Sequence, residues 1–228
     1  MARVDRATWI VELRRVNEEE EDVLAPTYDE RWGEIDETHR AFVERFLSMV
    51  PPAGRVLDAA CGTGKYLGMV LESGRSVLGV DHAGACLVEA KAKHPGAETE
   101  RHDLQDLAYR EAFDGVMCVD AMEMIPPEDW PDVLRRFRRA IAGRGPLYLT
   151  VEIAPPEEVR AGTEEGRRRG LPLADGEVIW EEYGYHHYPS LDRVRTWLRE
   201  AGFAIEDEEE QPLEDEGFAY HHVLARAV

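Results

Sequence analysis

Three observations predict an α/β fold, a doubly wound, mostly parallel seven-stranded sheet with helices on both faces. Short apolar runs alternate with helical patterns along the first two thirds of the chain. The first run feeds directly into a glycine turn, and successive runs end on aspartates. Strands and helices alternating at this spacing imply βαβ units and a parallel sheet covered on both sides.

The elements follow in order. Helical spacing at Trp9, Leu13 and Val16 gives way to the acidic run Glu18 to Asp22, then to Pro26, Tyr28 and Trp32, which break the rhythm. Val56-Leu57 is a short strand ending at Asp58, and Leu67, Val70 and Leu71 trace the helix after the turn. Ser76 to Val80 is the second strand, closed by Asp81; Ala85 to Lys93 is a helix stopped by His94-Pro95-Gly96. A weaker third strand lies just before Asp103. Phe113 to Val119 is the fourth, and Trp130, Val133, Leu134, Phe137 and Ile141 mark one face of the helix behind it. Pro146 to Ile153 is the fifth. Between Pro155 and Pro189 lies an insertion without clear periodicity, of a length that is more often functional than idle. Leu191, Val194, Trp197 and Leu198 then define a helix ended by Gly202, and Phe203 to Asp207 and Ala219 to Ala225 complete the sheet. The expectation is one domain: a helical cap over 1–50, a binding core over 51–153, a lid or acceptor insertion over 154–189, and a closing helix with strands over 190–228.

Composition narrows the partners. Lys and Arg number 27 against 47 Asp and Glu, a formal net charge of -20. Such a surface repels phosphate, which argues against nucleic acid and anionic membranes and is compatible with a cationic ligand. Arg135, Arg136, Arg138 and Arg139 fill the solvated side of the helix whose other side is apolar, so they do not form a nucleic-acid site. Cys61, Cys86 and Cys118 make neither a CxxC pair nor an even framework, which points to a reducing, cytoplasmic setting. Arg3, Asp5 and Arg6 stand where a signal peptide needs apolar residues, and no window is apolar enough to cross a bilayer.

The most specific segment is Val56-Leu57-Asp58-Ala59-Ala60-Cys61-Gly62-Thr63-Gly64-Lys65-Tyr66. A strand entering a helix through such a turn lets a ligand approach the backbone at the helix N-terminus. A dinucleotide fingerprint requires a third glycine where this chain has Leu67, and Asp58 places a fixed negative charge where a pyrophosphate would sit. A ligand carrying an ammonium and a sulfonium suits that charge.

The segment resembles the first motif of the class I (Rossmann-like) S-adenosylmethionine-dependent methyltransferases, an acid followed by GxGxG, with Ala60 in place of the first glycine. The resemblance implies S-adenosyl-L-methionine as cofactor, S-adenosyl-L-homocysteine as product, and a turn of Ala60, Cys61, Gly62 and Gly64 around the cofactor below Asp58. It implies that Asp81, with His82 beside it, accepts hydrogen bonds from the ribose hydroxyls. Asp103, followed by Leu104, is similar to the third-strand acid that receives the adenine amino group. Val119 to Ile125 is similar to the fourth-strand motif, so Asp120, Ala121 and Met122 line the cofactor's amino-acid end. Tyr28 corresponds to an N-terminal aromatic that caps the methionine portion in similar enzymes. Relatives that methylate base amino groups carry Asn/Asp-Pro-Pro-aromatic where this chain has Asp120-Ala121-Met122-Glu123, a further argument for a small-molecule acceptor.

Because the cofactor brings the reactivity, the protein's task is alignment and water exclusion. Candidates for a general base are His186 or His187, in the run Tyr185-His186-His187-Tyr188, and Glu123, which follows the fourth strand. The aromatics Trp180, Tyr183, Tyr185 and Tyr188 of the insertion suggest a planar or apolar acceptor, methylated on oxygen or nitrogen. His221 and His222, adjacent on a strand, point to opposite faces and cannot share a metal ion, so none is expected. An NAD(P)-dependent oxidoreductase and a non-catalytic S-adenosylmethionine-binding protein stay open as alternatives, as do a monomer and a homodimer.

Overall fold

The computed structural model describes residues 5–181, 184–213 and 217–228, so Tyr183 lies outside the described residues. Two helices, α1 (Arg6–Trp32) and α2 (Glu37–Met49), precede β1 (Arg55–Ala59), α3 (Leu67–Glu72), β2 (Ser76–Asp81), α4 (Gly84–Lys93) and β3 (Glu98–Arg101). Then come β4 (Gly115–Cys118), α5 (Trp130–Ala140), β5 (Pro146–Ile153), α6 (Pro156–Arg168), β6 (Glu177–Trp180) and β7 (Gly184–His187). The chain closes with α7 (Leu191–Glu200), β8 (Phe203–Pro212) and β9 (Ala219–Ala227).

Seven strands form one sheet in the order β3-β2-β1-β4-β5-β9-β8. The first five are parallel, and β9 and β8 add as antiparallel strands. Strand alternation sorts the side chains into two layers. Val56, Val77, Met117 and Tyr148 pack with Phe42 and Phe46 of α2. Leu57, Leu78, Val116 and Leu149 pack with α5 and α7 through Phe137, Trp130 and Leu198. Because β1 has β2 on one side and β4 on the other, the chain reverses direction across the sheet there. The crevice at the carboxyl ends of β1 and β4 is where such sheets bind ligands.

Three stretches differ from the sequence expectation. The N-terminal segment is a single helix running through both the acidic run and Pro26. Only Leu13, Asn17 and Ala25 of it are buried, so it lacks the apolar stripe by which helices are recognised. The insertion is ordered too, as α6 and an antiparallel β6–β7 hairpin. Its periodicity is hidden because glycines make the contact: a Cβ on Gly162 would come within 2.5 Å of Val178, and one on Gly166 within 2.3 Å of Leu173. Finally, β4 is shorter than expected, Phe113 contributing only an isolated bridge to Ile141, whereas β8 and β9 are longer.

Trp130 ties the α5 layer together. It is fully buried, its indole N–H donates to the Ile125 carbonyl at 3.1 Å, and its ring centroid lies 5.4 Å from that of Trp197. Trp130→Ala is expected to lower unfolding stability by about 3–5 kcal/mol, as measured by chemical denaturation.

Candidate active site

A cavity of about 1310 Å³ opens over the carboxyl ends of β1, β2 and β4, with α1 laid across it and the β6–β7 hairpin along one side. Single-ligand pockets typically measure roughly 300–1,000 Å³, so this one has room for two reactants.

The glycine turn forms its floor. Ala60, Gly62 and Gly64 all take left-handed backbone, with φ of 63°, 51° and 86°, a conformation that glycine adopts without strain. A Cβ on Gly62 would meet nothing within 4 Å, so the backbone there faces open space. Gly64 serves packing instead, since its Cβ would lie 3.0 Å from that of Ala90 in α4. Cys61 seats its thiol on Gly79, and Leu67 is fully buried beneath the turn.

At the end of β2, Asp81 accepts from the backbone N–H of Gly62 at 2.8 Å and of Ala83 at 2.9 Å, one bond to each carboxylate oxygen. Lone pairs remain on both oxygens for a further donor. Burial and the neighbouring Glu21 carboxylate push Asp81 up to about 6. Asp58, only 1% exposed, sits below the turn and does not line the cavity. One of its oxygens has no hydrogen-bond partner among the described residues, and burial followed by the charge of Asp81 pushes it up to about 7. Asp103 caps the N–H of Gln105 with one oxygen, while Arg14 of α1 donates to the other at 2.9 Å. Any group that binds at Asp103 must therefore share it with Arg14. Leu104, Tyr28 and Ala121 line the cavity, but Met122 does not: its side chain is buried in the core against the α5 layer.

The far end is built around Asp120, which follows β4 in left-handed backbone, φ 52°. Its N–H donates to Thr150 Oγ1 at 2.7 Å, and Lys65 Nζ stands 3.9 Å from its carboxylate. His39 of α2, buried, donates from Nε2 to Asp120 at 3.2 Å and from Nδ1 to Asp36 at 2.6 Å. Because carboxylates only accept, both ring nitrogens carry protons. Burial opposes that cation, but the bond to Asp120 and the two carboxylate charges prevail and raise its pKa.

Beyond Asp120 stand Glu123 and Glu152, the latter near the end of β5. Burial, then Glu152 and Asp120, push Glu123 well above the usual carboxylate range. Burial and Asp120 push Glu152 up to about 7. His186 lines the cavity with Nε2 3.6 Å from Glu152, and burial lowers its pKa to about 4. His187 corrects the expectation from the paired histidines. It is on the opposite face of β7, 1% exposed, and packs against Trp130 and Trp197, away from the cavity.

Among the site residues that escaped the sequence analysis are Arg14, Asn17, Glu21, Asp36, His39, Glu152 and Tyr220. A signal existed for Glu152, an acid at a strand's carboxyl end like Asp58 and Asp81. Apart from Tyr220 of β9, the others depend on where α1 and α2 dock. Helix α1 is tied down by polar contacts along its length. Arg6 forms a two-pronged pair with the buried Glu177 of β6, both bonds 2.6 Å; Asp22 accepts from Ala85 N–H at 2.7 Å; Asp29 pairs with Lys93. Glu21 meets His82 at 2.9 Å. Among the described residues, Glu21, Asp81 and His82 bring ligand-type atoms within 4.8 Å of one another. Glu21 and His82 pair with each other, and both Asp81 oxygens serve the backbone. No helix among the described residues is long and apolar enough to cross a membrane.

The cavity and sheet have counterparts in known proteins. A family model described as a methyltransferase domain matches residues 56–145. The chain is 32% identical over 170 residues to a dTDP-3-amino-3,6-dideoxy-alpha-D-glucopyranose N,N-dimethyltransferase of Streptomyces fradiae, covering 66% of this chain and 67% of that one. Among solved structures, a SAM-dependent methyltransferase from Methanosarcina mazei superposes with a TM-score of 0.68 at 17% identity, covering 79% of this chain and 95% of that one. The 1,6-didemethyltoxoflavin-N1-methyltransferase of Burkholderia thailandensis does so with a TM-score of 0.67 at 16% identity, covering 95% and 89%. These two share the fold.

The Glu21–His82 pair gives a pH signature. Burial disfavours the His82 cation, but the hydrogen bond and charge of Glu21 overcome it and raise His82 to about 9. A folded-state value above the ordinary ~6.5 contributes stability that is whole below about pH 6.5 and is lost as pH rises through the folded value. The difference in unfolding midpoint between wild type and His82→Gln is thus expected to be full near pH 6 and gone by about pH 10.

Proposed function

Because the chain belongs to the class I S-adenosylmethionine-dependent methyltransferases, with S-adenosyl-L-methionine as its methyl donor, we propose that it methylates a small molecule on oxygen or nitrogen. The observation that carries this reading is the single large cavity, which has the glycine turn at one end and Glu123, Glu152 and His186 at the other. The residues fit the donor. Gly62 leaves the backbone open, Asp81 keeps acceptor capacity at the end of β2, and Asp58 holds an unpartnered buried oxygen under the turn. Asp81 would hold the ribose, and Asp120 and Tyr28 would border the amino-acid end.

When bound, the donor supplies a sulfonium-activated methyl group. This chain's contribution is positioning, which for well-oriented reactants is worth roughly 7–11 kcal/mol. Helix α1 and the β6–β7 hairpin exclude water from above and from the side. His186, neutral through burial, and the Glu123–Glu152 pair are placed to take a proton from the acceptor, a contribution of about 10²–10⁴ in rate. The S. fradiae relative is by name an N,N-dimethyltransferase of an amino sugar, and the B. thailandensis neighbour is by name a 1,6-didemethyltoxoflavin-N1-methyltransferase, both with small-molecule acceptors. The acidic surface and Asp120-Ala121-Met122-Glu123 in place of a Pro-Pro-aromatic motif argue in the same direction, for an enzyme that does not act on nucleic acid.

Calorimetry tests the reading. S-adenosyl-L-homocysteine is expected to bind and NADH not to bind, and Asp81→Asn should weaken the former roughly ten- to hundredfold. An acceptor panel with labelled methyl donor separates an enzyme from a protein that only holds the donor. Against a responsive acceptor, His186→Gln is expected to slow turnover by one to two orders of magnitude, about the range of a lost general base. His187→Gln should instead lower the melting temperature and leave turnover intact, because it packs in the core.

A further inference from the structure

We propose that the acceptor is an amine that enters as its ammonium form and is gripped between Glu123 and Glu152. The inference rests on the methyltransferase reading and narrows its acceptor. Glu123 is 6% exposed, lines the cavity, and has one carboxylate oxygen with no hydrogen-bond partner among the described residues. A buried acceptor group left without a donor is destabilising, so the missing donor is expected to arrive with the ligand. Glu152, half-buried, has His186 Nε2 at 3.6 Å as its cationic candidate among the described residues, and that imidazole is held neutral by burial. His39 bridges Asp36 and Asp120, and Lys65 faces Asp120.

The surroundings match the charge. Around Glu123 stand Glu152 of β5, Asp120 after β4, Glu21 and Tyr28 of α1, His186 of β7 and Tyr220 of β9. Four of these seven groups, Glu123 included, are carboxylates. Tyr28, Tyr220 and Trp180 line the same space, and aromatic rings can attract cations once water is excluded. A hydroxyl acceptor would supply at most one proton to this group and no charge.

The chemistry balances. The ammonium gives a proton to one glutamate, leaving a neutral nitrogen whose lone pair forms the new N–C bond while the S–C bond breaks and its pair stays on sulfur. One positive charge ends on the methylated nitrogen, and the proton taken by the glutamate returns to solvent. Before the amine arrives, burial and mutual repulsion keep a proton on the pair. Docking of a cation therefore expels that proton, a readout independent of turnover.

The test uses the full-length protein saturated with S-adenosyl-L-homocysteine. It is titrated calorimetrically with phenethylamine, 3-phenylpropylamine and 4-phenylbutylamine, and with the matching alcohols, in buffers of different ionisation enthalpy. At least one amine is expected to bind roughly tenfold or more tightly than its alcohol and to release up to about one proton. Glu123→Gln and Glu152→Gln, each checked for an intact melting transition, should lose both the preference and the proton release. If no amine outbinds its alcohol, or if the preference survives in both variants, the proposal is overturned. Failure of S-adenosyl-L-homocysteine to bind at the outset would instead overturn the methyltransferase reading on which it rests.

Discussion

Five carboxyl groups crowd one edge of a parallel sheet, Asp58, Asp81 and Glu123 buried and Asp120 and Glu152 half-buried, and they cannot all be ionised unaided. Like charges sharing a dry site repel strongly, and each must find a donor, a counter-ion or a proton. The molecule uses all three. Backbone N–H groups of the glycine turn and the β2–α4 junction satisfy Asp81. The His39 imidazolium and Lys65 balance Asp120. Glu123 and Glu152, which line the cavity, are left to burial, which favours their protonated forms, as it does for Asp58 beneath the turn.

That constraint explains why the first fifty residues matter to a site that the sheet generates. Helix α2 delivers His39 to the end of β4, where the strained backbone of Asp120 is locked by Thr150 on one side and the imidazolium on the other. Helix α1 brings Arg14 to Asp103 and Glu21 to His82, so the outer rim carries paired charge while the interior keeps unpaired acid. An array of acids built by strand ends is thus made tolerable by helices that cross them.

Much of this was legible in the residues. The parallel strands β1, β2 and β4 were visible because each is an apolar run closed by an acid, whereas β3 is polar and largely exposed and gave only a weak signal. The turn was visible because Gly62 and Gly64 follow β1 immediately. Three things were hidden, each for a physical reason. Helix α1 is held by long-range ion pairs and not by a periodic apolar face, so nothing local announces it. Helix α6 meets its hairpin through Gly162 and Gly166, residues that read as breakers in isolation. The adjacent histidines of the insertion looked interchangeable until β7 put them on a strand, whose alternation sends His186 to the cavity and His187 into the core. The same alternation was already evident for His221 and His222, which part ways in β9: one meets Glu208, the other Tyr148 and Gln211.

A strap fastened by ions behaves differently from one fastened by oil. Helix α1 buries only Leu13, Asn17 and Ala25 along twenty-seven residues, and apart from Arg6 on the buried Glu177 its fastenings are part-exposed groups. Its hold on the sheet therefore comes mainly from charge pairing and little from buried apolar area. Dissolved salt weakens exposed pairs of this kind, so how firmly α1 is held depends on the ionic strength of the surrounding solution.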